Sequence, residues 1–243
     1  MKKSQIQRVG GLVVLGALFA TGGCSTLPVK NNEKIAFLGD SITEQGMADG
    51  NGYCHLVIQG LEANGIKAVA VGAGISGHKS NDMLARLQRD VISKKPDWMT
   101  LSCGVNDVWH GANGIELEPY KKNITEIVNR TQAAGIKVMI LTSTMIMEDA
   151  SNGFNKKLAG YNEFLRKLAK EKKCLLADLN EDMQTTLAAM KKSHPVPAGK
   201  NYLTRDGVHM AAAGNRMMAE GILKGFGLSE AQLTKARESW PAK

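Results

Sequence analysis

The sequence predicts an α/β fold: a single three-layer α/β/α domain built on a five-stranded parallel sheet. Three observations carry this expectation. Five short apolar runs alternate with longer amphipathic ones from residue 34 onward. The short runs are four to six residues long and largely apolar, the pattern of strands buried on both faces. Polar and glycine residues then follow several of these runs directly, where an open α/β sheet places its ligand site.

The elements follow in order along the chain. Ile35–Leu38 reads as a strand, followed by a turn-rich loop and a helix over Tyr53–Ala63 that Asn64-Gly65 closes. Lys67–Val71 is the second strand, and a glycine-rich loop leads to a helix over Asn81–Ser93. Trp98–Cys103 is the third strand and Tyr120–Ala134 the next helix, closed by Gly135. Val138–Thr142 and Cys174–Ala177 are the fourth and fifth strands, with a helix over Asn155–Glu171 between them. Helices over Met183–Lys191, Ala211–Lys224 and Glu230–Glu238 complete the domain, with a proline-containing loop between the first two. Strands separated by helices of ten or more residues imply right-handed crossovers and helices on both faces.

The first 24 residues have a different character. Lys2, Lys3 and Arg8 precede an almost wholly apolar run from Val9 to Ala20, and Thr21, Gly22, Gly23 and Cys24 follow. A charged start, a short apolar stretch and a small-residue cleavage site form an export signal over residues 1–23. The Cys after small residues resembles the lipobox of bacterial lipoproteins, although Thr21 stands where that motif usually has Leu. The resemblance implies lipidation of Cys24, a tether over residues 24–33 and a domain over 34–243. The protein would then be exported, attached to a bacterial membrane at the periplasmic or cell surface. Ordinary secretion, with Cys24 as an incidental thiol, is the alternative.

Loss of residues 1–23, with three basic residues and no acid, lowers the formal net charge from +8 to +5. The chain has no dense Lys/Arg run with interleaved aromatics, so nucleic acid is not an expected partner. Cys54, Cys103 and Cys174 lie in apolar runs without metal-ligand spacing and read as buried small hydrophobes.

Candidate chemistry sits in the loops that follow strands. Ser41 lies at a strand-to-helix turn, where a helix cap is the plain reading. Asp206 and His209 stand three residues apart before the last long helix, which suits an imidazole and the carboxylate that orients it. A solvated or capping pair is the alternative. Asn106 can present an amide N–H₂ to a developing oxyanion, and Gly77 a backbone N–H. Asp40 and Asp107 are expected to brace these loops. Trp109 and His78 are candidates for the substrate pocket.

Four blocks occur in order: Gly39-Asp40-Ser41-Ile42-Thr43, Ile75-Ser76-Gly77, Gly104-Val105-Asn106-Asp107 and Asp206-Gly207-Val208-His209. Together they resemble the SGNH (GDSL-like) hydrolase family across residues 34 to about 225, with its flavodoxin-like arrangement. The resemblance implies Ser41 as nucleophile, His209 as general base and Asp206 as its orienter. It also implies an oxyanion hole made of the Ser41 and Gly77 backbone N–H groups and the Asn106 side chain. It requires neither metal nor organic cofactor. The implied substrate is a small-molecule or carbohydrate ester, with an acetyl or other short acyl group. A lysophospholipase or a general short-chain carboxylesterase is the alternative.

Two rivals come from the residues themselves. Gly72-Ala-Gly74-Ile-Ser-Gly77 is formally a dinucleotide-binding pattern, but it follows the second strand, and Ser102-Cys103-Gly104 stands where an acid belongs. A surface-anchored carbohydrate-binding protein without activity would share the fold but need not keep the whole set of polar residues.

Overall fold

The computed structural model describes residues 27–193, 197 and 199–241. Five strands form one sheet: β1 (Lys34–Gly39), β2 (Val69–Gly74), β3 (Trp98–Ser102), β4 (Lys137–Leu141) and β5 (Leu175–Ala177). All neighbours pair in parallel, in the order β2-β1-β3-β4-β5. The chain order reverses between β1 and β3, so the crevice between their carboxyl ends is the switch point where ligands bind in such sheets.

The central strands owe their place to composition. Ile35, Ala36, Phe37 and Leu38 of β1 are fully buried, as are Met99 of β3 and Met139, Ile140 and Leu141 of β4. Each large side chain removed from water in this way contributes about 1.5–3 kcal/mol. Helices α2 (Tyr53–Ala63), α7 (Leu179–Ser193), α8 (Ala212–Gly225) and α9 (Glu230–Ser239) pack together on one face. On the other lie α3 (Ser80–Asp90), α5 (Leu117–Ala133) and α6 (Gly153–Glu171). Two further helices, α1 (Ser41–Ala48) and α4 (Val105–Trp109), begin at the ends of β1 and β3.

The structure departs from the sequence expectation at three places that matter for the site. The turn-rich loop after β1 is the helix α1. Its buried residues are only Ile42, Thr43 and Gly46, so it carries no apolar stripe by which to be recognised. Strand β2 begins two residues later than expected and runs into the glycines, ending at Gly74. Gly74 is required there because α1 crosses it: a Cβ would lie 2.2 Å from the Glu44 backbone nitrogen. The segment before β1, expected to be part of a polar tether, is packed on the domain from Leu27. Val29 is buried, and the Asn32 backbone N–H donates to the Lys67 carbonyl at 2.7 Å.

Candidate active site

Ser41 is the first residue of α1, and the residue before it does the capping. The Asp40 carboxylate accepts the Ile42 N–H at 3.0 Å, which leaves the Ser41 hydroxyl free to turn outward. Its Oγ lies 2.9 Å from His209 Nε2. The other ring nitrogen, Nδ1, is 2.6 Å from Asp206 Oδ2. Asp206 is fixed in turn by the turn it begins, since its Oδ1 accepts the backbone N–H groups of Val208 at 3.0 Å and His209 at 2.8 Å. Partial burial works against ionisation of Asp206. The His209 and Val208 N–H groups and the imidazole outweigh it and hold the carboxyl down at about 2. Hydroxyl, imidazole and carboxylate thus form one bonded chain across 168 residues of sequence.

Two loops bring donors to the same place. Gly77 sits at φ +76°, a conformation only glycine adopts without strain, with open space around its α-carbon. Asn106 is in α4 and nearly buried; one hydrogen of its amide donates to the His78 carbonyl at 3.1 Å, which leaves the other for the cleft. Ser41, Gly77, Asn106, Asp206 and His209 all line one cleft of about 540 Å³. Gln45, Ser76, Trp109, His110, Met147 and Val208 complete its wall. Among the described residues, no three His, Cys, Asp or Glu side chains converge as a metal-binding set.

The frame behind the cleft is made of buried charges. Arg86 donates to the Gly39 and Ala73 carbonyls, each at 2.8 Å, and so ties together the ends of β1 and β2. Asp107 is fully buried and accepts the Ser80 N–H at 3.0 Å and its hydroxyl at 2.6 Å, which joins the Asn106 loop to α3. The expected bracing by Asp40 and Asp107 is therefore present. His78, expected at the pocket, does not line the cleft. Its Nδ1 accepts the Arg86 Nε–H at 3.0 Å, because a buried guanidinium must find acceptors for its N–H groups. Cys54 and Cys103 are buried as expected, whereas Cys174 is only partly so. Arg86, Gln45 and Met147 carried no sequence signal; they lie in ordinary helical or loop contexts and act only through the fold.

Burial drives the Asp40 carboxyl up to about 6, with the nearby Asp107 adding to the effect against the Ile42 hydrogen bond. A raised carboxyl binds its proton more tightly when folded. Its destabilising effect is full above about pH 6 and is relieved as pH falls toward the unfolded value of about 3.9. The Asp40→Asn variant keeps an efficient cap. Thermal melts are expected to show a smaller loss of stability between pH 5 and pH 8 in this variant than in the parent. An unchanged pH dependence would contradict the assignment.

The sequence model of the GDSL-like Lipase/Acylhydrolase family matches residues 37–217. An acetylxylan esterase of Geobacillus stearothermophilus is 28% identical over 222 residues, spanning 83% of this chain and 97% of the relative. An uncharacterized lipoprotein of Bacillus subtilis, YqeF, is 22% identical over 240 residues, 88% of this chain and 96% of its own. Among solved structures, the acetyl xylan esterase AlAXEase superposes with a TM-score of 0.71 at 36% identity, covering 79% of this chain and 98% of that one. Axe2, an acetylxylan esterase from Geobacillus stearothermophilus, gives 0.73 at 27% identity over 83% and 97%. The chain belongs to the GDSL-like lipase/acylhydrolase family and is an ester-hydrolysing enzyme.

Proposed function

We propose that this enzyme removes acetyl or similarly short acyl groups from a carbohydrate through an acyl-enzyme on Ser41. The observation that carries the reading is His209, bonded at once to the Ser41 hydroxyl and to Asp206. In the first step Ser41 Oγ attacks the ester carbonyl and its proton passes to His209 Nε2. Asp206 holds the ring and stabilises the imidazolium. The tetrahedral oxyanion is met by the Ser41 and Gly77 N–H groups and the Asn106 amide. As the C–O bond breaks, the imidazolium protonates the departing sugar oxygen. Water then gives its proton to His209 and attacks the acyl group, and Ser41 is restored as acetate leaves.

The wall of the cleft supports a sugar as the leaving alcohol. Gln45, Ser76, Asn106 and His110 offer hydrogen bonds, whereas Trp109 offers a flat face. That indole stacks on Phe154 with ring centroids 5.3 Å apart and planes at 29°, which holds it in place. The names of the acetylxylan esterase relatives agree with this reading. Cys24 lies outside the described residues; a lipid anchor there is supported by the export-type start of the sequence and by the lipoprotein relative.

The test is a comparison of an acetylated xylo-oligosaccharide with p-nitrophenyl esters of two and of eight or more carbons. The short acyl group should be preferred. Trp109→Ala is expected to raise KM for the oligosaccharide about ten-fold, equivalent to roughly 1.4 kcal/mol of binding. The same change should leave p-nitrophenyl acetate nearly unaffected. Preference for the long chain would overturn the reading in favour of a lipid ester.

A further inference from the structure

The loop after β4 carries a buried carboxylate that the proposed chemistry does not use. Glu148 is 6% exposed. Its Oε1 accepts the Leu203 N–H at 2.8 Å, the Thr204 N–H at 2.7 Å and the Thr204 hydroxyl at 2.7 Å, and its Oε2 accepts the Tyr202 N–H at 2.8 Å. All four donors belong to the three residues that lead into Arg205 and Asp206. Hydrogen bonds to an ionised carboxylate are shorter and stronger than neutral ones, so this segment is held at several points by one side chain.

The grip continues into the catalytic turn itself. Thr204 Oγ1, which donates to Glu148, accepts the Gly207 N–H at 3.1 Å. The backbone N–H of Met147, next to Glu148, donates to the Gly207 carbonyl at 2.7 Å. The carbonyl of Gly207, which lies between Asp206 and His209, is thus held directly by the Glu148 loop, and its N–H by the Thr204 hydroxyl that Glu148 anchors. Met147 and Glu148 adopt φ of +64° and +46°, in the left-handed region. Two consecutive non-glycine residues there are uncommon and persist only where surrounding contacts hold them.

We infer that Glu148 is a positioning residue for catalysis, setting the Asp206–His209 turn against Ser41. The inference rests on the reading of Ser41, Asp206 and His209 as the hydrolytic triad. Asp206 and His209 come from a partly exposed turn that follows no strand of the sheet, so the sheet does not fix it as it fixes Ser41. The Glu148 carboxylate supplies that connection from the loop after β4. It does not line the cleft, so it acts on the approach of the imidazole and not on binding.

The test is the steady-state kinetics of Glu148→Gln and Glu148→Ala on p-nitrophenyl acetate, corrected for active sites by a fluorophosphonate burst. Glu148→Ala should lower kcat per titrated site by about 10²-fold, the scale of a misplacement near 1 Å, with KM within about two-fold of the parent. Glu148→Gln keeps an oxygen for Leu203 and Thr204 but turns an amide N–H₂ toward Tyr202, and should recover part of the loss. If the alanine variant does not fold, the glutamine variant decides, through its kcat per titrated site. A kcat unchanged within two-fold in the folded variants, even with a lower melting temperature, shows a merely structural role and overturns the inference. So does a rise in KM at constant kcat. Ser41→Ala run alongside separates the two readings: turnover that survives it overturns both, whereas turnover that needs Ser41 but ignores Glu148 overturns only this one.

Discussion

Alanine at position 41 is expected to reduce turnover of p-nitrophenyl acetate by about 10⁴–10⁶-fold, the range seen when the nucleophile of a triad is removed. The fold should be untouched. Asp40 caps α1, so the helix keeps its N-terminal hydrogen bond without the serine. Ser41 is only partly buried and its replacement leaves no large cavity. The change in stability should therefore stay within about 0.5 kcal/mol. Kinetics with the far-ultraviolet dichroism spectrum and a thermal melt check both halves. A folded variant that keeps more than a few per cent of the parent rate would remove Ser41 from the chemistry.

Asparagine at position 206 is expected to lower kcat by about 10⁴-fold, because the amide no longer favours the ring tautomer that leaves Nε2 open to the serine proton. Binding should change little, since the Asp206 carboxylate is engaged with His209 and its own turn. A second signature follows from the carboxyl being held at about 2. A depressed pKa contributes stability that is fully present above the unfolded value of about 3.9 and is lost as pH falls through about 2. The variant should lose this part of the acid dependence of its melting temperature. Asp40 acts in the opposite sense over the window up to about pH 6, so the two substitutions are expected to tilt the stability profile in contrary directions. A variant with asparagine at 206 and near-normal kcat would break the assignment of Asp206 as the orienter.

Much of the sheet was legible because its strands are short and apolar and its helices long and amphipathic. Ile35–Leu38 cannot be read as anything exposed, and α2, read as Tyr53–Ala63, has those bounds in the structure. Four loop blocks were legible as a candidate site because together, and in that order, they resemble the SGNH (GDSL-like) hydrolase family, whereas each alone also reads as a cap or a turn. The elements that escaped notice have physical reasons for doing so. Helix α1 is held by its cap and by contact with the edge strand, not by an apolar stripe; α4 is five residues long, too short to show a period. The glycines of β2 look like loop residues until α1 is seen lying on them. Arg86 and Glu148 are charged residues of the kind usually left in water. Only the fold shows that most of their partners are backbone groups of the segments that lead into the cleft. His78 failed as a pocket residue for the same reason, since the acceptor Arg86 needed could not be known from spacing.

The shared direction of the five strands also bears on which esters can reach the enzyme. The chain enters the sheet at Lys34, beside Glu33 and the Trp98 indole it accepts a hydrogen bond from, and Ser41 opens at the far end of β1. Six residues of strand separate these ends by roughly 20 Å. Only Ser25 and Thr26 lie between Cys24 and the packed Leu27. An acyl anchor at Cys24 would therefore keep a bilayer against the underside of the molecule, with the mouth of the cleft directed outward. A soluble oligosaccharide would then meet that mouth from the solvent side. A phospholipid of the same leaflet would have its scissile bond on the wrong side of the protein.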